Sequence, residues 1–115
     1  MKKILLIVLV LIVGCAEKPI NLETLDERDA IFYTKDTNEP YTGIVFGLYS
    51  SGEKEFEFYL KDGKLDGKGT DYHKNGQIQK EGNYKDGKKD GKYTYYNRDG
   101  SIDKVVEYKD GVRVE

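Results

Sequence analysis

Nine glycines set the frame of this chain. They stand at 43, 52 and 63, at 67, 76 and 87, and at 91, 100 and 111, so each set is the previous one moved along by 24 residues. Other columns keep the same step. Leu48, Tyr72 and Tyr96 correspond, as do Leu60, Tyr84 and Tyr108. Lys61-Asp62-Gly63 returns as Lys85-Asp86-Gly87 and as Lys109-Asp110-Gly111. Self-similarity at a fixed period marks a chain built from one stacked supersecondary unit. The units run 43–66, 67–90 and 91–114.

Each unit holds two turn signals, hence two strands. The turn glycines 52, 63, 76, 87, 100 and 111 follow one another at intervals of 11, 13, 11, 13 and 11. Five of them close an Asn-Gly or Asp-Gly pair: Asp62-Gly63, Asn75-Gly76, Asp86-Gly87, Asp99-Gly100 and Asp110-Gly111. Tight hairpins need φ > 0 at their centre, which these residues tolerate. Gly63, Gly87 and Gly111 are predicted to hold it. Glycine at such intervals excludes helix from 43 to 112. The expected fold is all-β: a single antiparallel meander of about six repeat strands, with an extra strand or two from Ile31–Thr34 upstream. Side chains alternate faces along a strand. An even period then predicts an apolar, aromatic face from the even-numbered residues (Phe46, Phe58, Leu60, Tyr72, Tyr84, Tyr96, Val106, Tyr108). The odd-numbered residues, including Tyr59, Tyr93 and Tyr95, are predicted on the wet face.

The first 14 residues do not belong to this pattern. Lys2 and Lys3 precede an unbroken apolar run from Ile4 to Val13, too short to span a hydrocarbon core of ~30 Å. That is the layout of a secretory signal. Ile12-Val13-Gly14-Cys15 resembles the bacterial lipobox, which predicts cleavage after Gly14 and a diacylglycerol thioether plus an amide-linked acyl chain on Cys15. Two or more chains anchor stably where one does not. The resulting division is a signal-peptide helix over 1–14, a lipidated Cys15 with a tether over 15–30, and the repeat domain over 31–115. Cys15 is the one cysteine of the chain. Ala16 after it favours the outer membrane in a Gram-negative host, and the expected location is the cell envelope. Without Lys2 and Lys3, 17 basic residues face 21 acidic ones. An acidic chain without clustered Lys and Arg has no electrostatic case for nucleic acid.

The residues Tyr84-Lys85-Asp86-Gly87-Lys88-Lys89-Asp90-Gly91-Lys92-Tyr93 and Tyr72-His73-Lys74-Asn75-Gly76-Gln77-Ile78 resemble the variant MORN repeat. Glu39-Pro40-Tyr41-Thr42-Gly43 resembles the segment that opens many bacterial members. The likeness covers residues 39–112. Many such proteins carry a YwqK-type antitoxin label and others are lipoproteins; repeats of this kind generally bind or scaffold. The chain departs from the pattern in having no Trp after Gly-Lys: it has Gly67-Lys68-Gly69 and Gly91-Lys92-Tyr93.

Reactive chemistry is scarce. One histidine, His73, and one cysteine do not make a Ser/His/Asp or Cys/His set, nor the ligands of a zinc site. His73 is read as a solvent-facing turn residue. Asp62, Lys64, Asp66 and Gly67, and again Asp86, Lys88, Asp90 and Gly91, echo a calcium loop but put lysine where the third oxygen belongs. Glu55 and Glu57 project from one strand as a solvated face rather than a glycosidase pair. No catalytic residue, metal or cofactor is assigned. The candidate interaction surface is Tyr59, Tyr93 and Tyr95. The expected function is a non-catalytic binding or scaffold module, held at the membrane through Cys15 and meeting a protein partner or another copy of itself. A glycan- or cell-wall-binding repeat is the alternative, and the signal peptide argues against a cytoplasmic antitoxin.

Overall fold

The computed structural model describes residues 18–114. The expected signal-peptide helix and Cys15 lie outside the described residues. Within them the fold is all-β, as the turn spacing predicts. Six strands make the repeat: β4 (Gly43–Leu48), β5 (Lys54–Lys61), β6 (Lys64–Tyr72), β7 (Ile78–Lys85), β8 (Lys88–Tyr96) and β9 (Ile102–Lys109). Upstream lie β1 (Ile20–Asn21), a 3-10 turn (Leu22–Thr24), β2 (Leu25–Arg28) and β3 (Ile31–Thr34); β10 (Val112–Val114) closes the chain. The main sheet runs β1-β4-β5-β6-β7-β8-β9-β10, and β2-β3 form a separate pair. Every neighbour in the main sheet is antiparallel except the two-residue β1, which runs parallel to β4.

The turns explain the register. Asp62, Asp86 and Asp110 have φ of 51°, 50° and 52°, and the glycines after them 82°, 86° and 84°. Two successive residues at φ > 0 form the primed turn whose twist matches a hairpin. Each of these glycines also reaches back across the sheet. The N–H groups of Gly63, Gly87 and Gly111 donate to the carbonyls of Tyr41, Leu65 and Lys89 at 2.8, 2.8 and 2.9 Å. At the opposite end the turns 49–52, 73–76 and 97–100 repeat the same bond pattern. There the Tyr49 hydroxyl donates to the Tyr72 carbonyl at 2.5 Å, and His73 Nε2 donates to the Tyr96 carbonyl at 3.2 Å. His73 is therefore a half-buried link between units, not the solvent-facing turn residue expected.

Replacing Gly87 by alanine is expected to cost about 1 kcal/mol, because nothing stands within 4 Å of the new β-carbon and the positive φ alone is penalised. Gly63→Ala should cost more. Its β-carbon would stand 2.5 Å from Ile31 Cγ2 and 2.8 Å from the Phe32 carbonyl oxygen. Thermal melts of the two variants test this ordering, and equal shifts would count against it.

The predicted faces need correction. Cross-strand partners share a face. One row of partners reads Val45, Phe58, Gly69, Gly82, Tyr93, Val106, and the next reads Gly47, Phe56, Asp71, Lys80, Tyr95, Lys104. Odd positions on β4, β6 and β8 thus lie with even positions on β5, β7 and β9. The even period does keep parity from unit to unit. Within a unit, however, a two-residue turn pairs position i with i+3, as in Lys61 with Lys64 and Lys85 with Lys88, and so inverts it. We call the face bearing these two rows the inner face.

The tether assigned over 15–30 is also corrected, from residue 20 onward. β1 extends the edge of the main sheet beside β4, and the 3-10 turn, β2 and β3 fold over the inner face of the first unit as a cap. Leu25 packs with Val45 and Leu60 in the buried core, and Ile20, Leu22, Phe32, Tyr41, Phe58 and Leu65 surround them. Asn21 Oδ1 accepts the Glu23 N–H at 2.9 Å, and the Phe32 N–H donates to the Gly63 carbonyl at 2.9 Å. Ile31–Thr34 is a strand as expected, but it pairs with β2 rather than joining the main sheet.

Candidate interaction surface

The inner face holds a ladder of rings. Phe56 stacks on Phe58 with centroids 5.2 Å apart; Phe58 meets Tyr84 edge-on at 5.7 Å, and Tyr84 meets Tyr93 at 6.0 Å. Tyr93 then touches Tyr95 at 5.6 Å and Tyr108 at 5.9 Å. Offset and edge-on geometries are those that aromatic quadrupoles favour. Glycines make room for the rings. A β-carbon on Gly69 would lie 2.4 Å from the Phe58 ring, and one on Gly82 would lie 2.3 Å from the Tyr93 ring. Rings laid over strand glycines restore the burial those glycines lack. Tyr93 is 1% exposed as a result.

The ladder changes chemistry along its length. Three further rows on this face stand at equivalent positions of the repeat: Gly43, Leu60, Leu65; then Gly67, Tyr84, Lys89; then Gly91, Tyr108, Arg113. Phe56 of the first unit becomes Lys80 and then Lys104, and Gly47 becomes Asp71 and then Tyr95. The first unit is apolar where the cap sits. The last unit, at equivalent positions, is tyrosyl and cationic. Lys89 Nζ lies 4.6 Å from the Tyr93 ring centre and 4.8 Å from that of Tyr108, and Lys104 Nζ lies 5.1 Å from that of Tyr95. Such ammonium-over-ring contacts are electrostatically favourable. Among the described residues, none of the register positions on this face of β8, β9 and β10 carries a carboxylate.

The hydroxyls are coupled. Tyr84 and Tyr93 share a hydrogen bond of 2.7 Å. Burial, together with that bond, pushes the Tyr93 phenol far above its ordinary value, and burial also raises Tyr84. The hydrogen bond between Tyr95 and Tyr108 pushes Tyr95 up to about 12 and lowers Tyr108, which the nearby Lys89 and Arg113 also stabilise as an anion. Asp71, flanked by Lys80 in its row, is held above the usual carboxylate range, chiefly by burial.

The three tyrosines singled out from sequence do not form one surface. Tyr59 pairs with Ile44 on the outer face and is 37% exposed. Tyr93 and Tyr95 lie on the inner face, and Tyr93 is buried. The signal that would have separated them is the parity inversion at the two-residue turns. Ile44, Tyr59, Val105, Val112 and Val114 leave apolar groups open on the outer face. Phe46, Tyr72 and Tyr96 share that face with ion pairs, Lys68 to Glu81 at 2.9 Å and Lys54 to Glu57 at 2.8 Å. Glu57 is thus a salt-bridge partner. No family model, curated protein or solved structure matches this chain.

The remaining candidates resolve as structure. Among the described residues no group of three or more His, Cys, Asp and Glu is placed to hold a metal ion. Asp62, Lys64 and Asp66 line a cleft of about 360 Å³ with Lys61, Lys85 and Asp86, so ammonium groups alternate with the carboxylates. The cap was not legible as structure because its turn, Asp29-Ala30, has φ of 53° and 66° without any glycine. Glu23, Asp26, Asp29, Asp36 and Glu39 are exposed on and beside it, with Arg28 and Lys35, whereas Glu27, paired with Phe32, lies on the side of Leu25.

Proposed function

We propose that this protein is a non-catalytic binding or scaffold module of the variant MORN-repeat kind, held at a bacterial membrane by a lipid on Cys15. The observation that carries the reading is the change along the inner face. A backbone that repeats every 24 residues presents leucine and phenylalanine under the cap, but tyrosine, lysine and arginine at the equivalent places of the last unit. A sheet serving stability alone has no use for that gradient; one that docks a partner at its distal end does. The lipobox-like Ile12-Val13-Gly14-Cys15 supports the anchor. Glycan stacking finds weaker support, since Lys89 and Lys104 stand over the ring faces a sugar would use.

The test expresses the full chain with its leader in three forms: unaltered, Cys15→Ser, and Lys104→Glu with Arg113→Glu. Cells are cross-linked with formaldehyde and fractionated. The unaltered chain is expected in membranes with cross-linked adducts. Cys15→Ser should lose the acyl mass on its residue-15 peptide, read by mass spectrometry, and the doubly charge-reversed form should keep that mass and stay in membranes without adducts. An unaltered chain with no acyl mass on Cys15 would overturn the anchor. An unaltered chain without adducts would overturn the binding role.

A further inference from the structure

The cationic end of the inner face and the acidic cap have complementary chemistry and lie at opposite ends of the same sheet. Among the described residues of β8, β9 and β10, the inner-face register positions hold Lys89 and Lys104, with Arg113 beside them, around Tyr95 and Tyr108, and no carboxylate. The cap offers Glu23, Asp26 and Asp29, all exposed. Of the cations near them, Arg28 is already engaged. It lies 4.0 Å over the Tyr33 ring and donates to Asn38 Oδ1 at 2.6 Å. The two surfaces cannot meet within one molecule. The cap lies over β4 and β5, and β8 is three to four strands further along, at ~4.8 Å per strand.

We propose that a second copy of this chain lays the outer surface of its cap on the cationic end of the inner face, so that copies associate head to tail. The inference rests on the reading of that surface as a docking site and names its occupant. The cap already sits on the inner face of the first unit through its apolar underside, built from Leu22, Leu25 and Phe32. The last unit has exchanged the matching leucine and phenylalanine positions for cations, which select the acidic outer side of the cap instead. The contact is heterologous: the donor surface of one copy and the acceptor surface of the next differ, so rows of copies form. Copies anchored in one membrane meet at high effective concentration. Charges at such a rim are screened over ~8 Å at physiological ionic strength, so added salt weakens the association.

Zero-length carbodiimide cross-linking tests this, because it joins a carboxylate to an amine only when the two touch. Full-length protein is extracted in non-ionic detergent and mixed from ¹⁴N and ¹⁵N preparations. Mixed-isotope peptides joining Lys89 or Lys104 to Glu23, Asp26 or Asp29 are expected. They should be lost in Lys104→Glu with Arg113→Glu, and lost in Glu23→Lys with Asp26→Lys. Mixing those two variants restores both interfaces, and the cross-links should return between them. All four residues are exposed, and circular dichroism checks that each variant keeps its sheet. Absence of mixed-isotope links in the unaltered protein, their persistence in both variants, or no recovery in the mixture would overturn the proposal. A different protein held at Lys104 without self-links would also overturn it, yet would leave the docking role standing.

Discussion

Alanine at position 82 is expected to destabilise the protein by about 1–3 kcal/mol, the usual cost of overpacking a filled interior. Gly82 lies mid-strand in β7 with no positive φ, so backbone conformation alone would favour alanine by about 0.4–1 kcal/mol through the unfolded chain. Sterics oppose and win. The added carbon would lie 2.3 Å from Tyr93 Cδ2, 2.8 Å from Cγ and 2.9 Å from Cε2. The ring cannot swing aside, because Tyr84, Tyr95, Tyr108 and Lys89 surround it. The urea midpoint of the variant measures the effect. An unchanged midpoint would mean that the ring does not rest on the glycine.

The larger loss is expected from Tyr93→Ala, about 3–5 kcal/mol, as for other buried aromatic truncations. Total stability for a domain of this size is about 5–15 kcal/mol, so the variant gives up at least about a fifth of it. Tyr93 touches three rings and one ammonium group and donates or accepts at Tyr84, so its removal opens the centre of the ladder. Tyr93→Phe isolates the hydroxyl and should cost about 1 kcal/mol. Tyr59→Ala, on the outer face, should shift stability by no more than about 0.5 kcal/mol. Denaturant curves of the three variants read the faces directly. Comparable losses at 59 and 93 would mean that the two tyrosines are not on differently buried faces.

Those tyrosines also mark where sequence reading stopped short. Strand number, turn positions and the positive φ at Gly63, Gly87 and Gly111 were legible because a tight turn imposes a backbone demand that few residues meet. Which side of the sheet a residue occupies was not, because the turn that reveals the hairpin also inverts the alternation inside it. The cap was missed for a different reason. Its turn uses Asp29 and Ala30, and its strand β2 buries Leu25 alone, so neither a glycine nor an apolar alternation announces it. The cationic end of the inner face becomes visible once the columns 56/80/104 and 65/89/113 are read on the correct side. Until then, Lys80 and Lys104 look like interruptions of an apolar stripe.

The bonds from Gly63, Gly87 and Gly111 to the strand behind them make the length of this molecule a quantised property. Each junction is built from main-chain groups at fixed spacing, so a tandem duplication of 72 base pairs would add two strands, ~10 Å of breadth, with both new boundaries already furnished. Reach can therefore evolve in whole steps, while the residues at either extremity, which choose what is touched, diverge on their own.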